Sequence, residues 1–304
     1  MNKGLVVSIL ALSAMFLASC GLGTNLIQKC PTTGKFSFTT INVAGDTFTQ
    51  LLGINNAGKI AGYHGSGADA QHPNKGFTLV PPATFTDENF PNSAQTQVVA
   101  INNNGETAGF YIDAAGNTHG FTMMGGTFTT VDAPNTTFNQ LLGLNDKGQA
   151  AGYSQDAGGV QHAYTVQGTT FTPVMTPGTS AQATGINNNG DVSGFYVDAQ
   201  GAVHGLVIPA GKTLVTLDYP ASAETQALGL NNLGDVVGFY MDATNKMHGF
   251  IYNIASAKFG TIDNTNGVGA TLVNGINDKG TVVGFFGDQA GNTNGFMGTI
   301  TSCM

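Results

Sequence analysis

The sequence predicts an all-β fold, a six-bladed β-propeller, on two observations. First, a segment of the type Gly185-Ile186-Asn187-Asn188-Asn189-Gly190-Asp191-Val192-Ser193-Gly194-Phe195-Tyr196 recurs six times in 304 residues. Its first Asn falls at Asn55, Asn102, Asn145, Asn187, Asn231 and Asn277, with spacings of 47, 43, 42, 44 and 46. A period of about 40–50 residues is that of a four-stranded propeller blade; β-helix coils and leucine-rich repeats are shorter. Second, the pattern inside a copy is that of a strand. Val236, Gly238 and Tyr240 alternate with Val237, Phe239 and Met241, so both faces are largely apolar. Such a strand must be covered on both sides. Blades stacked around an axis do this, whereas a two-layer sandwich leaves one polar face per strand.

In chain order, residues 1–19 read as a signal peptide: Lys3 precedes an apolar run, Leu5 to Leu17, too short to span a bilayer comfortably. Leu17-Ala18-Ser19-Cys20 resembles the lipobox of bacterial lipoproteins. That resemblance implies cleavage before Cys20 and lipidation of Cys20. Gly21 at the next position resembles lipoproteins sorted to the outer membrane. Two or three acyl chains anchor a protein stably where one is marginal. The competing reading is a plain secretory signal and a secreted protein. The chain has three cysteines. If Cys20 carries lipid, Cys30 and Cys303 remain as a pair flanking the repeats, which an oxidising compartment would join. Residues 20–35 are then a tether, and 36–304 the propeller.

Each copy divides into four strands. Strand one is of the Leu51-Leu52-Gly53-Ile54-Asn55 type, strand two of the Gly62-Tyr63 type, strand three of the His119-Gly120-Phe121 type, and strand four spans Phe128 to Asp132. Between strands one and two, turns such as Asn-Asn-Asn-Gly (102–105) use Asn, which tolerates turn conformations, and Gly, which supplies a positive φ. Asp113-Ala114-Ala115-Gly116 and its counterparts repeat the device between strands two and three. Mid-strand Gly109, Gly194 and Gly238 are expected to mark close approach to a neighbouring blade. The sixth copy runs through strand three and stops, while Phe38 to Asn42 is a strand four with no partners before it. Cys303 falls where the next strand four is due to begin. The first strand is therefore expected to complete the last blade, which closes the ring and removes its edges. A Cys30–Cys303 bond would add roughly 5 kcal/mol in the loop-entropy model.

The third-strand triplet reads His119-Gly120-Phe121, His162-Ala163-Tyr164, His204-Gly205-Leu206 and His248-Gly249-Phe250, degrading to Lys75-Gly76-Phe77 and Asn294-Gly295-Phe296. It resembles the HAF repeats of bacterial extracellular proteins over nearly the whole mature chain. The resemblance implies an exported repeat protein and brings no catalytic residues.

Composition narrows the function. Only 9% of residues are charged, the net charge is −8, and there is no Arg and no Trp. A chain without a basic stripe is a poor binder of phosphate or nucleic acid. A nucleophile elbow, a zincin helix, paired Glu, a phosphate loop and the Asp-box of sialidase propellers are all missing from the sequence. The triplet histidines fall on different blades, too far apart to share a metal, and are expected to hold nearby turns. His64, Asp69 and His72 could in principle hold a metal, but their Gly-rich stretch reads as a surface loop. The turn residues Asn55, Asn56, Asn145, Asp146, Asn277 and Asp278 lack the late Glu of a calcium loop. No metal or cofactor is expected.

One series carries a binding hypothesis. Gln50, Gln97, Gln140, Gln182 and Gln226 stand three residues before the anchor Gly or Ala, with Leu272 in the sixth copy. If strand one is innermost, they form a polar ring at one mouth of the channel. Amides both donate and accept, which suits a neutral, hydroxyl-rich ligand. The competing reading is that each Gln satisfies backbone groups between blades. The expectation is a lipid-anchored, monomeric, non-catalytic binding module at the outer membrane or cell surface, meeting the membrane only through its anchor. The alternatives are a channel-mouth lyase or hydrolase acting on glycans or peptides, and a structural envelope protein.

Overall fold

The computed structural model describes residues 32–66 and 72–303. The signal peptide 1–19, Cys20, Cys30, Asp69, most of the 20–35 tether and the side chain of Cys303 lie outside that description. Strand β1 (Gly34–Thr40) opens the chain. Blade one takes β2 (Thr49–Ile54), β3 (Ile60–His64), β4 (Lys75–Val80) and β5 (Thr84–Asp87). Blade two takes β6 (Gln95–Ile101), β7 (Thr107–Ile112), β8 (Thr118–Met124) and β9 (Thr127–Thr130). Blade three takes β10 (Asn139–Leu144), β11 (Gln149–Gln155), β12 (Gln161–Gln167) and β13 (Thr170–Pro173). Blade four takes β14 (Ser180–Ile186), β15 (Val192–Val197), β16 (Val203–Ile208) and β17 (Val215–Leu217). Blade five takes β18 (Glu224–Leu230), β19 (Asp235–Met241), β20 (Met247–Asn253) and β21 (Lys258–Ile262). Blade six takes β22 (Thr271–Ile276), β23 (Val282–Gly287) and β24 (Thr293–Cys303), and β1 joins it as the fourth strand. The fold is a six-bladed β-propeller, each blade a four-stranded antiparallel sheet.

Both chain ends meet in blade six, where Phe38 stands opposite Gly298 and Gly34 opposite Cys303. Two boundaries differ from the sequence expectation. The first strand begins at Gly34, inside the stretch assigned to the tether, and β24 runs for 11 residues. With no hairpin to enter, the third strand of this blade continues along β1 to Cys303, where a fourth strand was expected to begin. The register slips once, between Lys35 and Phe36.

The core lies between blades. Leu51, Val98, Leu141, Ala183, Ala227 and Val273, one from each first strand, are fully buried in six separate interblade clusters. The cluster of Ile41, Leu51, Phe77, Leu79 and Val283 joins blade six to blade one. Burying a side chain of this size contributes about 1.5–3 kcal/mol.

The mid-strand glycines correct one expectation. A Cβ on Gly109, Gly194 or Gly238 would strike the carbonyl of Gln97, Gln182 or Gln226 in its own blade. There the first strand bulges, between Val98 and Ala100, Ala183 and Gly185, and Ala227 and Gly229. The bulge pushes its backbone into the space a side chain would need. Contact with the next blade falls to the anchor glycines: a Cβ on Gly143 would stand 2.7 Å from the Gly185 Cα.

A closed ring of amides joins the blades at the narrow end. Asn55 Nδ2 donates to Asn102 O (3.1 Å), Asn102 to Asn145 O (3.0 Å) and Asn145 to Asn187 O (3.0 Å). Asn187 donates to Asn231 O (2.9 Å), Asn231 to Asn277 O (3.2 Å), and Asn277 back to Asn55 O (3.0 Å). Each Oδ1 meanwhile accepts two N–H groups of its own turn, as Asn187 does from Asn189 and Asp191. The next residue of each turn builds a second ring, accepting from the backbone N–H of the preceding blade: Asn56 to Asn103, Asn103 to Asp146, and so on round to Asp278, whose N–H meets Asn56. Asp146 sits where Nδ2 groups of Asn103 and Asn188 converge, and Asp278 where those of Asn56 and Asn232 do. Burial works against the Asp146 charge, but the two amides outweigh it and hold its carboxyl below the usual range.

Removing one ring member leaves a buried carbonyl and two turn N–H groups without partners. Asn187→Ala is expected to destabilise the protein by roughly 2–4 kcal/mol, read as a lower urea midpoint. Asn189→Ala, whose bond to Asn232 O is exposed, should cost less than about 0.5 kcal/mol.

Candidate functional site

The first strand of every blade faces the axis, and its side chains divide the channel into tiers. From the narrow end come the amide rings, then Ile54 and its five counterparts (Ile or Leu), then the Leu52 tier, then the glutamines. The two inner tiers leave spaces of only about 70 and 80 Å³. Above them the channel widens into a cavity of about 560 Å³, open at one face. That is within the range of small-molecule pockets, about 300–1,000 Å³.

Gln50, Gln97, Gln140, Gln182 and Gln226 all line this cavity. Among the described residues, none of their side-chain amides bonds to the backbone of a neighbouring blade. Gln140 Oε1 accepts from the Tyr153 hydroxyl (3.0 Å), and Gln182 Nε2 donates to Gln161 Oε1 (3.0 Å). Gln226 Nε2 donates to Glu224 Oε1 (2.5 Å). The pairing of strands one and two sets an aromatic beside each Gln: Tyr63 opposite Gln50, Phe110 opposite Gln97, Phe195 opposite Gln182. These three aromatics also line the cavity, as does Gln161, which reaches in from the third strand of blade three. Burial pushes the Tyr63 hydroxyl upward and Tyr153 up to about 12, so both stay protonated donors. Among the described residues the lining holds no Asp, Glu, His, Cys or Lys. The wall is thus neutral, with alternating amide and aromatic surface.

The charged groups sit further out on the same face. His119 is bonded by Nδ1 to Asp132 (2.7 Å) and by Nε2 to Asp113 (3.3 Å). His204 is held by Asp218 and Asp198, and His248 by Asp263 and Asp242. Each ring stacks on a tyrosine of strand two: Tyr111, Tyr196 or Tyr240. These clamps tie the turn between strands two and three to the end of strand four. Blade six builds the clamp with a neutral amide in place of the imidazole, Asn294 donating to Asp288 and accepting from Asn42. Blade three has Met175 where blades two, four and five carry the fourth-strand carboxylate, and among the described residues its His162 bonds only Asp156 (2.9 Å). His64 bonds Asp46 (2.7 Å). Among the described residues no group of three or more His, Cys, Asp or Glu is placed to hold a metal ion.

The folded frame so defined is a propeller with one wide, uncharged mouth. No protein-family model matches the chain, and no curated protein matches its sequence. Among solved structures the chain is similar to the putative TolB of Agrobacterium tumefaciens, with 11% identity and a TM-score of 0.60 over 88% of this chain and 99% of that one. It is also similar to the Aleuria aurantia lectin in complex with Fucα1-6GlcNAc, with 12% identity and a TM-score of 0.52 over 90% of this chain and 97% of that one. At such identities the likeness shows the fold alone.

The clamps set a pH dependence. Burial disfavours the charged rings of His119, His204 and His248, but their paired carboxylates outweigh it and raise all three above the ordinary value of 6.5. A raised folded value gives stability that is complete below pH 6.5 and is lost as pH climbs through the folded values. On the acid side, hydrogen bonds from Asn117 lead in lowering Asp113 to about 2, and turn N–H groups likewise lower Asp198 and Asp242. Their contribution is complete above the ordinary value of 3.8 and lost as pH falls through the folded values. The melting temperature is therefore expected to be highest between about pH 4 and 6.5. Its decline above that window should shrink in a His119→Asn/His204→Asn/His248→Asn variant, which copies blade six.

Proposed function

We propose that the protein is a binding module for a neutral, hydroxyl-rich ligand, a saccharide above all, taken into the glutamine-lined mouth. The observation that carries this reading is the wall itself: five first-strand glutamines, joined by Gln161 and Asn274, around one cavity backed by aromatic rings, with no ionised group lining it among the described residues. Amides answer hydroxyls in both directions, and aromatic faces suit the apolar C–H face of a sugar ring. A lyase or hydrolase needs an acid or base within reach of its substrate; among the described residues the lining supplies none, and the carboxylate beside it, Glu224, is engaged by Gln226. The Aleuria aurantia lectin, a saccharide binder in its solved complex, gives the same fold a precedent for such a ligand.

The same reading places the protein outside the cytoplasm, as an HAF-type repeat protein, lipidated at Cys20 and monomeric. The Cys30–Cys303 bond belongs to it: Gly34 pairs with Cys303, and Cys30 lies just upstream in sequence. Cys20→Ser should move the protein from the membrane fraction to the soluble one. If the variant stays with the membrane, the anchor is wrong.

Binding of neutral glycans, measured on an array and by calorimetry, should survive a rise in salt from 50 to 500 mM, because no ion pair is involved. Gln50→Ala/Gln97→Ala should weaken it about 10-fold or more, two net hydrogen bonds being worth roughly 1–3 kcal/mol together. Binding confined to anionic glycans or peptides, or untouched by the double variant, would remove the proposal.

A further inference from the structure

The six blades do not present the cavity with six equal columns. In five of them a Gln stands at the rim, with Leu52, Val99, Leu142, Thr184 or Leu228 below it. The sixth inverts the order: Leu272 occupies the rim position and Asn274 lies below. Two blades therefore break the apolar tier, and the fold accounts for only one of them. Thr184 donates its hydroxyl to Ala227 O of the next blade (2.8 Å), a bond between blades that needs no ligand. Asn274 Oδ1 is shut away from solvent and finds no hydrogen-bond partner among the described residues. An amide oxygen in that state is a cost the folded protein bears, and three sister blades show that leucine fits the position.

We infer that Asn274 is the specificity-determining residue of the cavity: a turn of its carboxamide about χ2 brings the orphaned Oδ1 to the cavity side, where it accepts one hydroxyl of a saccharide whose other hydroxyls meet the glutamine rim. The inference rests on the proposed saccharide site and sharpens it. The ligand is a neutral mono- or disaccharide seated with one donor group directed down the axis towards blade six. Its less polar edge lies on the side of Leu272, the one column that offers no rim amide. A hydroxyl suits both halves of this arrangement, since it donates to Asn274 while accepting from an amide of the ring. Recognition through a buried acceptor is also selective. An analogue without the hydroxyl enters the same pocket but leaves the acceptor unpaired, whereas a lost apolar contact discriminates far less.

The test is calorimetric titration of the purified protein with the methyl glycosides of glucose, galactose, mannose and fucose, then with each monodeoxy derivative of the tightest binder. Wild type should discriminate against one monodeoxy derivative by about 10-fold or more. Asn274→Leu should bind the parent glycoside about 10-fold more weakly and treat that derivative and the parent alike within about twofold. Its melting temperature should equal or exceed that of wild type, because the orphaned oxygen is gone and a residue of the sister blades replaces it. The inference falls if Asn274→Leu binds as wild type does while Gln50→Ala/Gln97→Ala loses affinity; the saccharide site then stands without it. It also falls if Asn274→Leu weakens the parent and every derivative equally, since that marks a packing role. If wild type binds none of the four glycosides, the site and the inference fall together.

Discussion

Six carboxamides, each reaching from one blade to the main-chain carbonyl of the next, fix the geometry on which the rest depends. A chain of such bonds can close only if each blade is turned from the last by the same angle and the first strands sit at one radius. The anchor glycines permit that radius, since a Cβ on Gly143 or Gly229 would stand within 3 Å of the next blade's backbone. Once the narrow end is pinned, the twist of the strands carries the other ends of the blades apart. The pocket is therefore the geometric complement of the amide ring. What draws the blades together below leaves room above, and first-strand residues face that room.

The topology was legible because the repeat is long and regular. A period near 44 residues, a Gly-rich turn in each copy, a partnerless strand at the start and a copy that lacks its fourth strand at the end suffice to place six sheets and join the last one from both termini. The radial order was not legible: strands with two apolar faces look alike whether they line a channel or pack between blades. The glutamines could be found because they keep a constant offset from the anchor. Tyr63, Phe110 and Phe195 were missed because an aromatic in an alternating strand reads as core. Asn55 and its counterparts were read as turn formers, which they are through Oδ1. The role of Nδ2 depends on a carbonyl more than 40 residues away that no local pattern encodes. Asn274 had a signal that was passed over, an amide in the tier that four other copies fill with Leu or Val. The mid-strand glycines misled for a related reason. A glycine announces crowding without naming the neighbour, and here that neighbour is the bulged strand of the same hairpin.

Charge and neutrality are kept apart on one face of the molecule. The His–Asp clamps lie at the periphery, where partial exposure tolerates ionised groups and the carboxylates can caps turns as well as hold a ring. The wide end of the axis is left to amides, aromatics and aliphatics. In the proposed site, selection of a ligand therefore falls to hydrogen-bond geometry and shape.

The joint in blade six has a consequence for how the molecule is made. Of the propeller's strands β1 is made first and its mate β24 last; Asn42 bonds Asn294, 252 positions later. Until then five complete sheets have no closing partner and β1 waits as an unpaired edge. Contacts of such long sequence separation are slow to form, and ring closure has to wait for them. The threonines and the lysine of the waiting strand, Thr39, Thr40 and Lys35, are of the kind that keeps a solitary edge from pairing with a wrong neighbour.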